Sequence, residues 1–235
     1  MSPIYTPGKV VLAQTYVEGD RYFNETSLLL HGNGTNGSTT IVDNSPTPKT
    51  LFAVGTTQIS TAQSKPGFGG SSIYLGSAGS LNVTNQTTDF SFGTGDFTAE
   101  AWIYFVSITG ETRIFAFAGG EANTTLNVGY NFGNNNKFTI VNESVAHIAT
   151  SSVGFTPNTW QHFAFTRSSG TCRLFLDGTQ IATVNSSVGN NNPGTFVIGY
   201  GTFLAYYDEV RITKGVARYT ANFTPPTDPF ADGYY

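Results

Sequence analysis

Charge is what this sequence has least of. Only 11% of its 235 residues are Asp, Glu, Lys or Arg, against roughly 25% in an ordinary soluble domain. A surface so short of charge favours association and close packing over repulsion. The charges present sum to −4, with an isoelectric point near 5.2, so no basic field exists to hold a nucleic-acid backbone. Cysteine is as scarce. Cys172 stands alone, which excludes an intrachain disulfide, and its position in a predicted strand makes it a small buried hydrophobe. A nucleophilic role would need a base beside it, and only His162 could approach through the fold.

Other absences narrow the function. No N-terminal stretch joins a basic start to an apolar run of signal length, and no segment approaches the roughly 20 apolar residues of a membrane span. The expectation is a chain made in the cytoplasm, with no membrane partner. Without a secretory signal, triplets such as Asn82-Val83-Thr84 and Asn185-Ser186-Ser187 read as inert. His31, His147 and His162 lack ligand spacing, which argues against zinc. No Gly-rich stretch sits between a strand and a helix to cradle phosphate, and no motif supports a Ser-His-Asp arrangement.

What is present is a β-rich composition: 27 Gly, 19 Phe and 12 Tyr. Short runs of β-branched and aromatic residues recur between turn signals, and no segment reads as a long helix. Predicted strands are 28–31, 51–54, 71–75, 81–83, 97–106, 113–118, 126–130, 137–141, 147–150, 161–166, 173–176, 180–184, 196–199 and 206–212. In 97–104, Phe97, Ala99, Ala101 and Ile103 share one face. Asp177-Gly178 suits a two-residue turn with positive φ at both positions. Residues 214–219 are expected to form a single helical turn. Trp102 and Trp160 are expected in the core.

The two ends differ from this. Residues 1–26 are punctuated by Pro3, Pro7, Gly8 and Gly19 but carry Ile4, Tyr5, Tyr16, Tyr22 and Phe23, more aromatic weight than a free disordered tail usually has. Residues 225–235 end in Phe230, Tyr234 and Tyr235. These eight apolar residues are candidate contacts with the chain's own domain or with a neighbouring copy.

Several segments in this order are specific together: Leu28-Leu29-Leu30-His31, then Phe68-Gly69-Gly70, Phe92-Gly93-Thr94-Gly95-Asp96-Phe97, the Trp160/His162 strand, the Leu174–Gly178 hairpin, and Asp208 through Phe223. Over about residues 27–230 the chain resembles the laminin-G-like, or concanavalin A-like, jelly-roll superfamily, and within it the domains found in phage virion proteins. The resemblance implies an all-β fold, a two-sheet antiparallel jelly-roll sandwich. That gives an extended N-terminal arm at 1–26, the jelly roll at 27–224 and a C-terminal tail at 225–235. It also implies a non-catalytic role in the virion, foremost as a capsid decoration or cement protein assembling through its arms. The partners would then be the major capsid protein and further copies of the chain, as a dimer or trimer. The alternative is a carbohydrate-binding module of a tail fibre or spike that meets host glycans.

The resemblance also frames the site residues. Relatives often carry an aromatic and an Asp after the His of the first strand, where this chain has Gly32 and Asn33. The loss of an anionic oxygen weakens a calcium site, which wants six to eight oxygens; Asn33, Asp43 and Asp208 are its remaining candidates, and no cofactor is otherwise expected. Glucanases of this fold alternate acids along one strand, as period 2 requires. Here Glu100 stands alone, and Asp208 and Glu209 are adjacent, so their side chains are expected on opposite faces. Tyr200, Phe203 and Tyr206, with Tyr207 beside them, could offer rings to a sugar or fill the core.

Overall fold

The computed structural model describes residues 19–83, 88–118, 126–142, 145–186 and 195–233. Among the described residues thirteen strands run in chain order: β1 (Thr26–Leu30), β2 (Leu51–Val54), β3 (Gln58–Ser60), β4 (Ser72–Leu75), β5 (Ser80–Val83), β6 (Phe97–Ala118), β7 (Leu126–Tyr130), β8 (Phe138–Asn142), β9 (Val145–Thr150), β10 (Trp160–Ser168), β11 (Thr171–Leu176), β12 (Thr179–Asn185) and β13 (Thr195–Lys214). All pairings are antiparallel.

Two strands build the architecture. β6 has 22 residues and β13 has 20, and they pair along most of their lengths, so each serves both layers of a sandwich. The start of β6 and the end of β13 sit in a first sheet, flanked by β10, β11 and β12 on one side and by β1, β4 and β3 on the other. The end of β6 and the start of β13 sit in a second sheet, with β7, β8 and β9 on one side and β5 and β2 on the other. Between these halves the register slips at Gly201/Phe203 and at Leu204/Ala205. Such bulges bend a strand from one sheet to the other. Gly201 has φ 134°, and a Cβ there would meet the Glu111 carbonyl at 2.4 Å, so this corner needs glycine.

The core lies between the layers. Phe97, Ala99, Ala101 and Ile103 point into it as their alternation predicts. Rings from the two sheets meet there: Phe138 lies 4.9 Å from Phe163, and Phe97 lies 5.8 Å from Phe117. Each such side chain contributes roughly 1.5–3 kcal/mol through burial. Cys172 is fully buried in the same cluster, and burial pushes its thiol up to about 11.

Three sequence expectations change. The segments 97–106 and 113–118 are one strand, as are 196–199 and 206–212, because Thr109 to Thr112 and Gly201 bend the ladder without ending it. Residues 214–219 form no helical turn. Gly215 takes φ 80°, and Thr98 then holds the chain extended against the sheet, its hydroxyl donating to the Val216 carbonyl and accepting from Arg218 N–H. The Asp177-Gly178 turn is as expected, with φ 48° and 75°.

Candidate functional site: the outer face of the first sheet

The residues opposite in parity to the core form the outer face of the first sheet. Along β6 these are Thr98, Glu100, Trp102 and Tyr104. Along β10 they are Thr166, Ala164, His162 and Trp160, paired with them directly: Ala164 with Glu100, His162 with Trp102, Trp160 with Tyr104. β13 adds Arg211, Asp208 and Tyr206 opposite Glu100, Trp102 and Tyr104.

One half of this face is sealed. Residues 216–230 cross it as a strap, held where Phe223 N–H donates to the Gly178 carbonyl. A Cβ at Gly178 would meet Phe223 O at 1.9 Å, so the turn glycine also admits the strap. Beneath it Glu100 is fully buried and accepts from Arg211 Nε (2.9 Å), His162 Nε2 (3.2 Å) and the Tyr219 hydroxyl (2.8 Å). Burial alone would raise the Glu100 pKa, but Arg211 and His162 outweigh it and hold the carboxyl well below the usual range. Tyr219 stacks on Phe223, and the Arg211 guanidinium lies 3.6 Å over the Phe230 ring. Asp20 closes the network from the N-terminal side, accepting from Arg218 at 2.6 Å and from Arg211 at 3.1 Å.

The other half is open. Trp160, Tyr104, Tyr206 and Tyr74 are direct cross-strand partners on β10, β6, β13 and β4. Neighbouring ring centroids lie 5.6, 6.0 and 5.0 Å apart along this row, and all four side chains are half-buried. At the Trp160 end the face drops into a groove of 680 Å3 lined by Lys65, Trp102, Asp177 and the Thr224–Thr227 part of the strap. Lys65 places its ammonium 4.2 Å over the Trp102 ring. Asp177 accepts from Gln161 Nε2 and from His162 N–H. Aromatic surface with a few convergent polar groups is the usual make-up of a small-molecule site.

Between the halves the ladder slips again. Asp208 faces Trp102 and Arg211 faces Glu100, so β13 carries one residue more than β6 here. Glu209 takes φ 50°. Tyr207 and Val210 both reach the inner core, which puts Asp208 and Glu209 together on the outer side. The expectation of opposite faces is corrected, because a bulge breaks the period of two. Glu209 accepts from Phe230 N–H at 2.6 Å and pairs with His31 Nδ1 at 2.8 Å. Asp208 Oδ2 accepts from Lys65 N–H, and Oδ1 has no hydrogen-bond partner among the described residues. Burial, reinforced by the Glu209 charge, pushes Asp208 up to about 8.

The remaining candidates fall as follows. Phe203 is 2% exposed and belongs to the inner core, so it offers no ring to a ligand. Tyr200 is exposed on the second-sheet half of β13, beside Arg113, and Tyr206 alone joins the aromatic row. Asp43 accepts from Leu29, Ser45 and Lys49 N–H groups, the turn-closing use of a carboxylate. Asn33 is exposed against Gly69. Among the described residues no three His, Cys, Asp or Glu side chains gather as a metal site. Phe230 is buried against its own domain, Tyr22 packs beside Arg218, and Phe23 lies half-buried in a 3-10 turn. Ile4, Tyr5, Tyr16, Tyr234 and Tyr235 lie outside the described residues. Trp102 is buried as expected but on the outer face, apart from the inner core cluster, and Trp160 lies half-buried on the same face. Their parity, opposite to Ala101 and equal to His162, already carried that signal. Tyr74 and Tyr104 were missed, since only the strand pairing shows that they adjoin Tyr206.

The fold and this face define a lectin-like β-sandwich. Residues 75–218, more than half of the chain, match the Laminin_G_3 family of the concanavalin A-like lectin/glucanases superfamily, and the chain belongs to it. No curated protein matches the sequence. Among solved structures, the binding domain of botulinum neurotoxin DC in complex with SialylT is 17% identical with a TM-score of 0.58, covering 83% of this chain and 50% of its own. A structure of botulinum neurotoxin type C, whose cell entry depends on interaction with two ganglioside molecules, is 17% identical with a TM-score of 0.61, covering 83% and 49%. A Trypanosoma rangeli sialidase is 14% identical with a TM-score of 0.54, covering 81% and 31%. The chain thus spans about half the length of the neurotoxin structures.

Proposed function

We propose that this protein is a non-enzymatic glycan-binding domain whose site is the groove between Lys65, Trp102, Trp160 and the strap. The observation that carries this reading is Trp160, a half-buried indole on the wall of an open groove that Lys65 and Asp177 also line. The C–H face of a sugar stacks on such a ring, and its hydroxyls bond to the charged groups around it. Glu100, the residue a glucanase mechanism would need, is locked in ion pairs under the strap and has no proton to give a leaving group. The ligands named for the neurotoxin structures support a sugar-binding reading. Such a domain suits a phage tail fibre or spike meeting host surface glycans. Wild type and Trp160→Ala should be compared on a glycan array, followed by calorimetry. We expect a defined set of hits whose Kd rises about tenfold or more in the variant; an array without hits overturns the reading.

A second reading, a capsid decoration protein assembling on a virion lattice, draws on another surface. β2 pairs with β5 alone among the described residues, and it exposes Phe52 and Val54, an edge of the kind that recruits another chain. Light scattering of the full chain, of Phe52→Ser with Val54→Ser, and of a chain lacking residues 1–18 tests it. A discrete oligomer dissolved by either change supports assembly, and a monomer that ignores purified capsids removes it.

A further inference from the structure

We propose that the ligand is an extended glycan chain, not a single terminal sugar, and that it lies across the strands over Trp160, Tyr104, Tyr206 and Tyr74. The inference rests on the glycan reading above and adds a part of the surface that the groove does not include. Tyr104, Tyr206 and Tyr74 do not line the groove. They continue outward from it, one ring per strand, through strict cross-strand pairing. With strands about 4.8 Å apart, four strands carry the row over roughly 15 Å.

A packing role does not account for these rings. None belongs to the inner core, and each keeps part of its surface in water. Their ring contacts are with one another and with Trp160: Tyr206 stands between Tyr74 and Tyr104 at 5.0 and 6.0 Å, and Tyr104 lies 5.6 Å from Trp160. The three phenol hydroxyls have no hydrogen-bond partner among the described residues. They lie close enough that Tyr74 and Tyr104, after burial itself, help to raise the Tyr206 pKa. Each therefore offers a donor and an acceptor to a ligand. The row ends at Gln58 on β3, paired with Tyr74, where an amide adds both again. Ring surface interspersed with hydroxyls, one ring per strand at 5.0–6.0 Å from the next, matches a polymer that repeats C–H faces and hydroxyls. A terminal sugar would use the groove alone.

The test is a length series. Cello-oligosaccharides, chito-oligosaccharides and oligosialic acids from one to six units are titrated into wild type, Trp160→Ala, Tyr74→Ala and Tyr74→Phe, with melting temperatures recorded for each. In the series that binds, wild-type affinity should rise with each unit until the row is covered. Tyr74→Ala should lose roughly five- to tenfold for the longest ligand and nothing for the disaccharide, Tyr74→Phe should lose less, and Trp160→Ala should weaken every length. Equal affinity for one and six units, or a Tyr74→Ala that binds the longest ligand like wild type, overturns the extended chain and leaves the groove reading standing. No binding at any length in any series overturns both.

Discussion

The outer face of the first sheet is two surfaces built on the same strands. At one end β6, β10 and β13 carry Glu100, His162 and Arg211, and at the other Tyr104, Trp160 and Tyr206. The charged end is buried and the aromatic end is open, the reverse of what hydrophobicity alone would arrange. The strap decides it. Phe223, Tyr219 and Phe230 cover the charged end, so every ion there had to be paired and hydrogen-bonded. Beyond Thr227 the strap has turned away, and the rings are left facing water. On the reading proposed above, this half-buried aromatic row is the place where a ligand binds.

The most damaging break in this contrast is at Glu100. Glu100→Ala leaves the Arg211 guanidinium and His162 buried with part of their pairing removed. Stripping one partner from a buried ion network costs about 3–5 kcal/mol. Denaturant unfolding should show that loss as a lower midpoint, while glycan binding by the folded fraction stays at wild-type strength. A loss below about 1 kcal/mol would mean that the strap does not seal this end in solution. Phe230→Ala is milder. It removes the ring under Arg211 and opens the Glu209 contact, for an expected 2–3 kcal/mol.

This contrast also shows what could be read in advance. The period of two along 97–104 placed Phe97, Ala99, Ala101 and Ile103 inward, and by the same count it placed Trp102 with Glu100 on the other face. Asp177-Gly178 announced its turn. What stayed hidden depends on partners far apart in the chain: Glu100 meets Arg211 across 111 residues, and Asp20 meets Arg218 across 198. Tyr74 and Tyr206 become neighbours only through the β4–β13 register. The bulge at Glu209 has no turn residue to signal it, since a non-glycine takes the positive φ. The strap carries prolines and aromatics that read equally well as a free tail, and only the glycine at 178 shows where it must pass.

The border between the two halves can be tested by pH. Asp208 is raised to about 8 when folded, against roughly 3.9 in an unfolded chain. The folded state therefore holds a proton that the unfolded state gives up above pH 4. Stability from this group is complete below pH 4 and lost as pH rises toward 8, with a slope of at most about 1.4 kcal/mol per pH unit. Asp208→Asn should flatten the fall between pH 5 and 7 and melt higher than wild type at pH 8. His31, raised by Glu209 against the lowering effect of burial, acts with the same sign but only above its unfolded value near 6.5. A slope unchanged between pH 5 and 6 in Asp208→Asn would assign the effect elsewhere.

The smallest effect on stability should come from the middle of the aromatic row, and it is the sharpest measure of the contrast. Tyr206→Ala removes a half-buried ring whose hydroxyl has no hydrogen-bond partner among the described residues. It takes away two partly solvated ring contacts, each worth about 0.5 kcal/mol at the low end of the aromatic-pair range, and solvent fills the place without leaving a buried cavity. We expect a change within about 1 kcal/mol in denaturant unfolding, beside a severalfold loss of affinity for a long glycan. Glu100→Ala should do the opposite on both counts. If Tyr206→Ala unfolds the protein as readily as Glu100→Ala, the row is a second structural seal, and the open half of the face has lost its claim to be a binding surface.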